Sequence, residues 1–253
     1  MTTTGPGSED SMNQPHDTDD VIVLYRGGRL PSWNQLDATL QLEYQQEHVD
    51  TMLAVAHQNR LRNINGYRLI APRGAWERFW SIAFPTLAGA EAWMTAEVAP
   101  PYGRYGHYEY DLARRCRPDS LSWLPQREVT PSGADPRQVP ALAVDTGSIV
   151  VLCFSRWQRG SDEVAPGLRG DERRRQRLQG VARDQGLIHG EVFRLVGSGR
   201  DGDLAWVLEF PDLGGAEAWI NAEVEPPGGS YHERTYHLAR RWAPDYFATW
   251  PKA

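Results

Sequence analysis

Two cysteines in 253 residues, Cys116 and Cys153, are too few and too far apart for a disulfide framework or a thiolate metal site. No apolar run approaches the ~20 residues of a membrane span. The first twenty residues are polar and acidic, and Val21-Ile22-Val23-Leu24-Tyr25 is too short for the apolar core of a signal peptide. A cytoplasmic location is therefore expected. A net charge of −6 leaves no concentrated basic surface, so a nucleic-acid partner is not expected. The one basic run, Glu172-Arg173-Arg174-Arg175-Gln176-Arg177, reads as a solvated helix face. Motifs that would announce a mechanism are absent too: no Gly-x-Gly-x-x-Gly, Walker loop, His-Glu-x-x-His, Cys-x-x-Cys or Gly-x-Ser-x-Gly occurs. Built-in nucleotide chemistry and a metal centre are accordingly not expected.

What the chain does have is a second copy of itself. Phe84-Pro85-Thr86-Leu87-Ala88-Gly89-Ala90-Glu91-Ala92-Trp93 returns as Phe210-Pro211-Asp212-Leu213-Gly214-Gly215-Ala216-Glu217-Ala218-Trp219. At an offset of 126, residues 84–119 and 210–245 share 22 identities in 36 positions. A gap-free repeat of this length duplicates a whole domain rather than a solenoid unit. The expected organisation is a disordered tail (1–19), a first domain (20–127), a Pro- and Ser-Gly-containing linker (128–146) and a second domain (147–253), within the usual ~100–150 residues per domain.

Both copies spell the same elements. Short apolar strands stand at Val21 to Tyr25 and Ile149 to Leu152. A helix over Leu36 to about Asn59 follows from Leu40, Tyr44, Met52, Val55 and Ala56 recurring near the 3.6-residue period; its counterpart, from about Gly170 to Asp184, is more charged. Strands at Tyr67 to Ile70 and Trp76 to Phe84, matched at Phe193 to Val196 and Leu204 to Phe210, precede a helix over Leu87 to Val98 that Pro100-Pro101 stops. A strand at Tyr108 to Arg115 closes the unit. The string is β-α-β-β-α-β, so the expected fold is α+β: two tandem ferredoxin-like domains packed sheet to sheet as a fused dimeric α/β barrel.

Residues the copies share serve packing; residues present once can serve a site present once. Tyr102, His107, Tyr108 and Glu109 occur only in the first copy, and His107 with Glu109 could act as a general base and its orienting carboxylate. His48 borders the apolar face of the first helix, and His189 has Asn63 as its counterpart. Trp93 and Trp219 on the second helices, with Trp80 on the preceding strand and Tyr105, are candidate walls of a cavity for a flat ligand. Arg114, at the end of the fourth strand, is expected to make a salt bridge or to stabilise a phenolate oxygen. The catalytic candidates are thus His107, Tyr102, Tyr108 and Glu109; the binding candidates are Trp93, Tyr105, His48, Trp80, Trp219, His189 and Arg114.

The block Ala92-Trp93-Met94-Thr95-Ala96-Glu97-Val98-Ala99-Pro100-Pro101-Tyr102-Gly103-Arg104-Tyr105-Gly106, followed by Glu109-Tyr110-Asp111-Leu112-Ala113-Arg114-Arg115, resembles the ring-opening oxygenases of angucycline biosynthesis (jadomycin, gilvocarcin and kinamycin type). The tandem plan resembles the wider dimeric α/β-barrel superfamily. These resemblances imply oxidative carbon–carbon cleavage of a polycyclic aromatic polyketide by dioxygen. Electrons would come from the substrate's hydroquinone form or from a reduced flavin (FAD or FMN) delivered by a flavin reductase, with no metal. They also leave room for a homodimer. Two alternatives stand beside this reading: a cofactor-free cyclase or isomerase, and a haem enzyme with His189, His232 or His237 as axial ligand. A protein that binds the aromatic compound without changing it is a further possibility.

Overall fold

The computed structural model describes residues 20–116, 121–125, 139–157, 172–199, 202–226 and 232–252; the expected tail and the first part of the expected linker lie outside them. The elements run β1 (Val21–Arg29), α1 (Ala38–Gln58), β2 (Asn63–Arg73), β3 (Trp76–Phe84), α2 (Leu87–Glu97) and β4 (Gly106–Arg115). The same order returns as β5 (Ile149–Trp157), α3 (Glu172–Asp184), β6 (His189–Gly199), β7 (Gly202–Phe210), α4 (Leu213–Val224) and β8 (His232–Arg241). Local chemistry sets several boundaries. Asp37 caps α1 by accepting from the Thr39 and Leu40 amides, and Thr86 and Asp212 cap the equivalent helices α2 and α4 by accepting from Gly89 and Gly215.

The eight strands close into one antiparallel barrel in the order β1-β3-β2-β8-β5-β7-β6-β4. The expectation of two sheets packed face to face is thereby revised. The halves meet edge to edge, β2 on β8 through Tyr67–Leu69 and β4 on β6 through Ala113–Arg115, and these two short seams close the barrel. The molecule is a mixed α+β protein with four α-helices among the described residues, α1 beside α2 and α3 beside α4.

Strand alternation divides the core in three. Inward residues of both halves, among them Ile22, Leu24, Tyr67, Phe79, Val150, Phe154, Phe193 and Val207, fill the barrel. Outward residues of the first half, including Val23, Tyr25, Trp80 and Ile82, pack under α1 and α2; those of the second half, including Val151, Leu208 and Phe210, pack under α3 and α4.

Each outer core is completed by chain from the other half. The segment after β8 lays Tyr246, Phe247 and Trp250 on the first half, and the segment after β4 lays Trp123 and Leu124 on the second. The repeat even preserves the anchoring bonds: the Trp242 amide donates to Gly66 O, and the Cys116 amide to Val192 O. Val139 and Leu142, inside the expected linker, are buried in the first half's core, and the Leu142 amide donates to Pro251 O at 2.8 Å.

One end of the barrel interior is polar. Arg241 grips the buried Glu209 carboxylate through Nε and Nη2 at 2.6–3.0 Å, Ser148 donates to the same carboxylate at 2.6 Å, and Arg241 Nη1 reaches Asn65 Oδ1 at 3.1 Å. Beside it, Arg115 Nη2 sits 2.7 Å from Glu191, whose other oxygen is 3.4 Å from His189. Burial opposes ionisation of Glu191, but His189 and Arg115 outweigh it and hold the carboxyl at about 2, below its ordinary 4.5. Glu209 is shifted the same way. A depressed carboxyl stabilises the fold fully above its ordinary value and ceases to do so as pH falls through its folded value. Urea midpoints are therefore expected to hold above pH ~4.5 and to fall steadily toward pH ~2, and Glu191→Gln should flatten part of that slope. A midpoint constant from pH 7 to pH 3 would contradict the role given to these carboxylates.

Candidate functional site

Three strands, two helices and the C-terminal segment converge under α1 and α2. Alternation turns Tyr25 of β1, Arg78, Trp80 and Ile82 of β3, and Tyr108 and Tyr110 of β4 outward into the same space. Trp93 and Glu97 share a face of α2 at i and i+4, and α1 supplies His48 from the opposite side. A short 3-10 turn, Tyr102–Tyr105, buries Tyr102, while the C-terminal segment contributes Tyr246 and Phe247.

The polar atoms form one cluster. Arg78 donates from Nε and Nη2 to the Tyr25 hydroxyl at 3.2 and 3.1 Å and from Nη1 to the Tyr246 hydroxyl at 3.4 Å. Tyr102 donates to the Tyr246 oxygen at 3.2 Å. The His48 ring stacks on Tyr102 at 4.0 Å and presents Nε2 3.5 Å from Glu97 Oε2. The Arg29 guanidinium lies over the Tyr102 ring at 3.7 Å and over Trp33 at 4.4 Å. Gly27 leaves room for Tyr25: a Cβ there would stand 2.4 Å from the phenol oxygen.

Electrostatics favour negative charge in this cluster. Burial pushes the phenols of Tyr25, Tyr110 and Tyr246 up, and that of Tyr108 to about 12, so all four remain donors. Burial resists ionisation of Glu97, yet His48, Arg78 and Arg29 hold it below the usual carboxylate range. Arg29 is brought down to about 10, by burial first and then by Arg78. Two guanidiniums therefore face one carboxylate. Among the described residues, five buried donors in or beside the cluster have no hydrogen-bond partner: Arg29 Nη1 and Nη2, Tyr108 OH, Tyr110 OH and Trp93 Nε1. Native proteins rarely bury donors unpaired, so five together mark a place short of acceptors.

The duplicated position in the second half carries different side chains. Strand pairing aligns Val21 with Ile149, so β1 and β5 differ by 128 rather than 126, and Cys153 replaces Tyr25. Leu204 replaces Arg78, Arg174 replaces His48 and Arg234 replaces Tyr108. Glu223, the counterpart of Glu97, is bound by both Arg174 and Arg234, the latter at 3.0 Å. There too two guanidiniums face one carboxylate, but both are ion-paired to it directly, and no counterpart of the Arg78–Tyr25 contact accompanies them.

Of the candidates from sequence, Tyr102, Tyr108, His48, Trp80 and Trp93 meet in this cluster. Tyr105 stands at its edge against Trp33 and Tyr44. His107 and Glu109 pair with each other at 3.0 Å on the opposite face of β4, toward the barrel mouth, where Arg26 approaches Glu109 at 3.7 Å and Asp111 at 2.8 Å. Adjacent residues of a strand point to opposite sides, so His107 does not share Tyr108's environment. His189 lies inside the polar barrel end; Trp219 packs on Trp123 and Phe210 in the second half. Arg114 faces Arg194 across the β4–β6 seam, and the buried salt bridge belongs to its neighbour Arg115. The sequence reading did not single out Tyr25, Arg29, Arg78, Glu97 or Tyr246.

A closed antiparallel barrel of two equivalent halves, flanked by helix pairs, defines the class of fold. No protein-family model matches the chain, and no curated protein matches it by sequence. Solved structures do match. A tryptophan-to-phenylalanine variant of chlorite dismutase from Candidatus Nitrospira defluvii in complex with cyanide is 11% identical, with 92% of this chain and 95% of that chain covered and a TM-score of 0.65. The same organism's enzyme in complex with imidazole is 10% identical, with 92% and 95% covered and a TM-score of 0.66. At this identity the likeness is one of fold: the barrel is chlorite dismutase-like.

These neighbours are haem-containing proteins, which overturns the expectation of a reduced flavin with no metal; the flavin reductase goes with it. Haem is the cofactor of those neighbours, and the three candidate ligands are where this chain can be tested for it. His189 is wedged against Glu191 in a packed interior. The His237 ring lies 4.1 Å from that of Trp76 beside a cavity of about 190 Å3, below the roughly 300–1,000 Å3 typical of cofactor sites. Burial, with Arg234 and Arg174, pushes the pKa of His232 down to about 4. The larger groove along the β2–β8 seam, about 410 Å3, has no histidine in its walls. Among the described residues, neither His189 nor His237 has room for a macrocycle beside it.

Proposed function

We propose that the chain is an enzyme that binds a planar, phenolic polycyclic aromatic molecule beneath α1 and α2, ionises its hydroxyl there and commits the anion to oxidative ring cleavage by dioxygen. The observation that carries this reading is the set of five unpartnered buried donors around the His48–Glu97 pair. In this reading Arg29 and Arg78 stabilise the phenolate, a task for which buried fixed donors suit far better than water. His48 takes the proton, held in place by Glu97 and by stacking on Tyr102. Trp80 and Trp93 flank the substrate's rings. His48 replaces His107 in the base role because His107 faces the barrel mouth. Insertion of both oxygen atoms into a hydroquinone-type substrate balances without a further reductant.

The angucycline resemblance motivates this chemistry and draws no support from the structural neighbours, whose haem favours the second reading, a haem-dependent enzyme. We read the halves as two ferredoxin-like domains, 20–127 and 147–253, in a chain that can pair as a homodimer. Product mass separates the readings. Incubation with a panel of polycyclic hydroquinones in air should add two oxygen atoms and open a ring, and the gain should vanish under argon. Isomerisation or dehydration without oxygen would favour a cyclase instead, and a Soret band in the purified protein with no hydroquinone turnover would favour the haem enzyme.

A further inference from the structure

The candidate site is full. With Tyr246 and Phe247 in place, the space left among its walls is about 10 Å3, too small for any organic ligand. Its occupant is itself a phenol: Tyr246 places a hydroxyl on Arg78 and Tyr102, with its ring against Phe247 and Trp242. We propose that Tyr246 is an internal surrogate for the substrate's hydroxyl, and that a substrate phenol enters by displacing it. This rests on the reading of the site given above and adds the seat, the chemical group it selects and the segment that must move.

Two observations support the displacement. The segment is anchored on both sides of Tyr246 and not through it alone. The Trp242 amide donates to Gly66 O at 2.8 Å, Trp250 Nε1 donates to Pro140 O at 3.0 Å, and the Leu142 amide donates to Pro251 O. Displacing Tyr246 therefore requires movement of only the turn carrying Asp245 and Tyr246, closed by the Phe247 amide donating to Pro244 O at 3.0 Å, while its ends stay docked. The repeat supplies the contrast: Leu204 takes Arg78's place in the second half, so no guanidinium stands at the position equivalent to Arg78 there. Exchange of one phenol for another keeps Arg78 hydrogen-bonded before and after, so the guanidinium is never left unpaired.

The test uses the full chain with 2-naphthol and naphthalene as probes, followed by quenching of tryptophan fluorescence. Tyr246→Phe retains the ring and removes the competing hydroxyl; Tyr246→Ala also opens space. Both variants are expected to bind 2-naphthol at least ~10-fold more tightly than the unmodified chain, and Tyr246→Phe should leave naphthalene binding unchanged. Arg78→Gln should abolish the gain. If 2-naphthol binds all three Tyr246 forms equally while Arg78→Gln weakens binding, the surrogate role is wrong and the site stands. If Arg78→Gln changes nothing in any form, both are wrong.

Discussion

Replacing Arg78 with glutamine is expected to reduce turnover of a phenolic substrate by about 10²–10³-fold, the range seen when one buried donor to a developing oxyanion is removed. Arg78 is almost wholly buried and spends its hydrogen bonds on two phenols, Tyr25 and Tyr246, with no carboxylate directly against it. Its charge is therefore available to a phenolate in Tyr246's place. Burial opposes its ionisation, but the surrounding phenols and Glu97 more than compensate, so it remains a cation at any working pH. Glutamine keeps one donor and loses the charge and the fork. Arg78→Lys should recover only part of the rate, because an ammonium cannot hold two hydroxyls in the same plane. The stability cost should be modest, about 1–3 kcal/mol for each hydroxyl left unpaired. A variant that stays folded and turns over normally would remove Arg78 from the mechanism.

Replacing Arg241 with methionine should have the largest effect on stability. It strips three hydrogen bonds from the Glu209 carboxylate and leaves that charge buried inside the barrel with Ser148 as its remaining donor. Breaking a buried pair in this way costs about 3–5 kcal/mol. For a chain of this length that corresponds to a fall in Tm of roughly 6–20 °C at 2–4 °C per kcal/mol. The repeat names the compensating change. The position equivalent to Glu209 in the first half is Ala83, buried and apolar. Arg241→Met combined with Glu209→Ala should therefore regain much of the loss, with a residual cavity cost. Two single substitutions whose effects simply add would show that the charges are not coupled.

The fold was legible in the sequence because the chain repeats itself: two copies yielding the same β-α-β-β-α-β string constrain every element boundary twice. β3 begins at Trp76 and ends at Phe84 as the pattern predicts, while β1 runs four residues beyond Tyr25, past the apolar run, through Arg26, Gly27, Gly28 and Arg29. A barrel was expected; what local pattern did not show was that the halves join edge to edge, β2 on β8 and β4 on β6, because pairing between halves is decided by edges and not by any one segment. The apolar face of the first helix found His48, and the contrast between copies found Tyr102 and Tyr108. Applied to β1 with its two-residue offset and to β3, it would also have exposed Tyr25 against Cys153, Arg29 against Trp157 and Arg78 against Leu204. Glu97 escaped that test because both copies keep it, each with a different partner. Tyr246 escaped because it reaches the first half's site from the far end of the chain.

The location of the ligand is the central claim, and anomalous diffraction tests it most directly. Crystals soaked with 6-bromo-2-naphthol should show a bromine peak beneath α1 and α2, within van der Waals reach of Trp80 and Trp93, with the hydroxyl on Arg78 and Tyr246 displaced. A peak at the barrel mouth beside Arg26, Trp76 and His237, or under α3 and α4, with Tyr246 still on Arg78, would contradict the account.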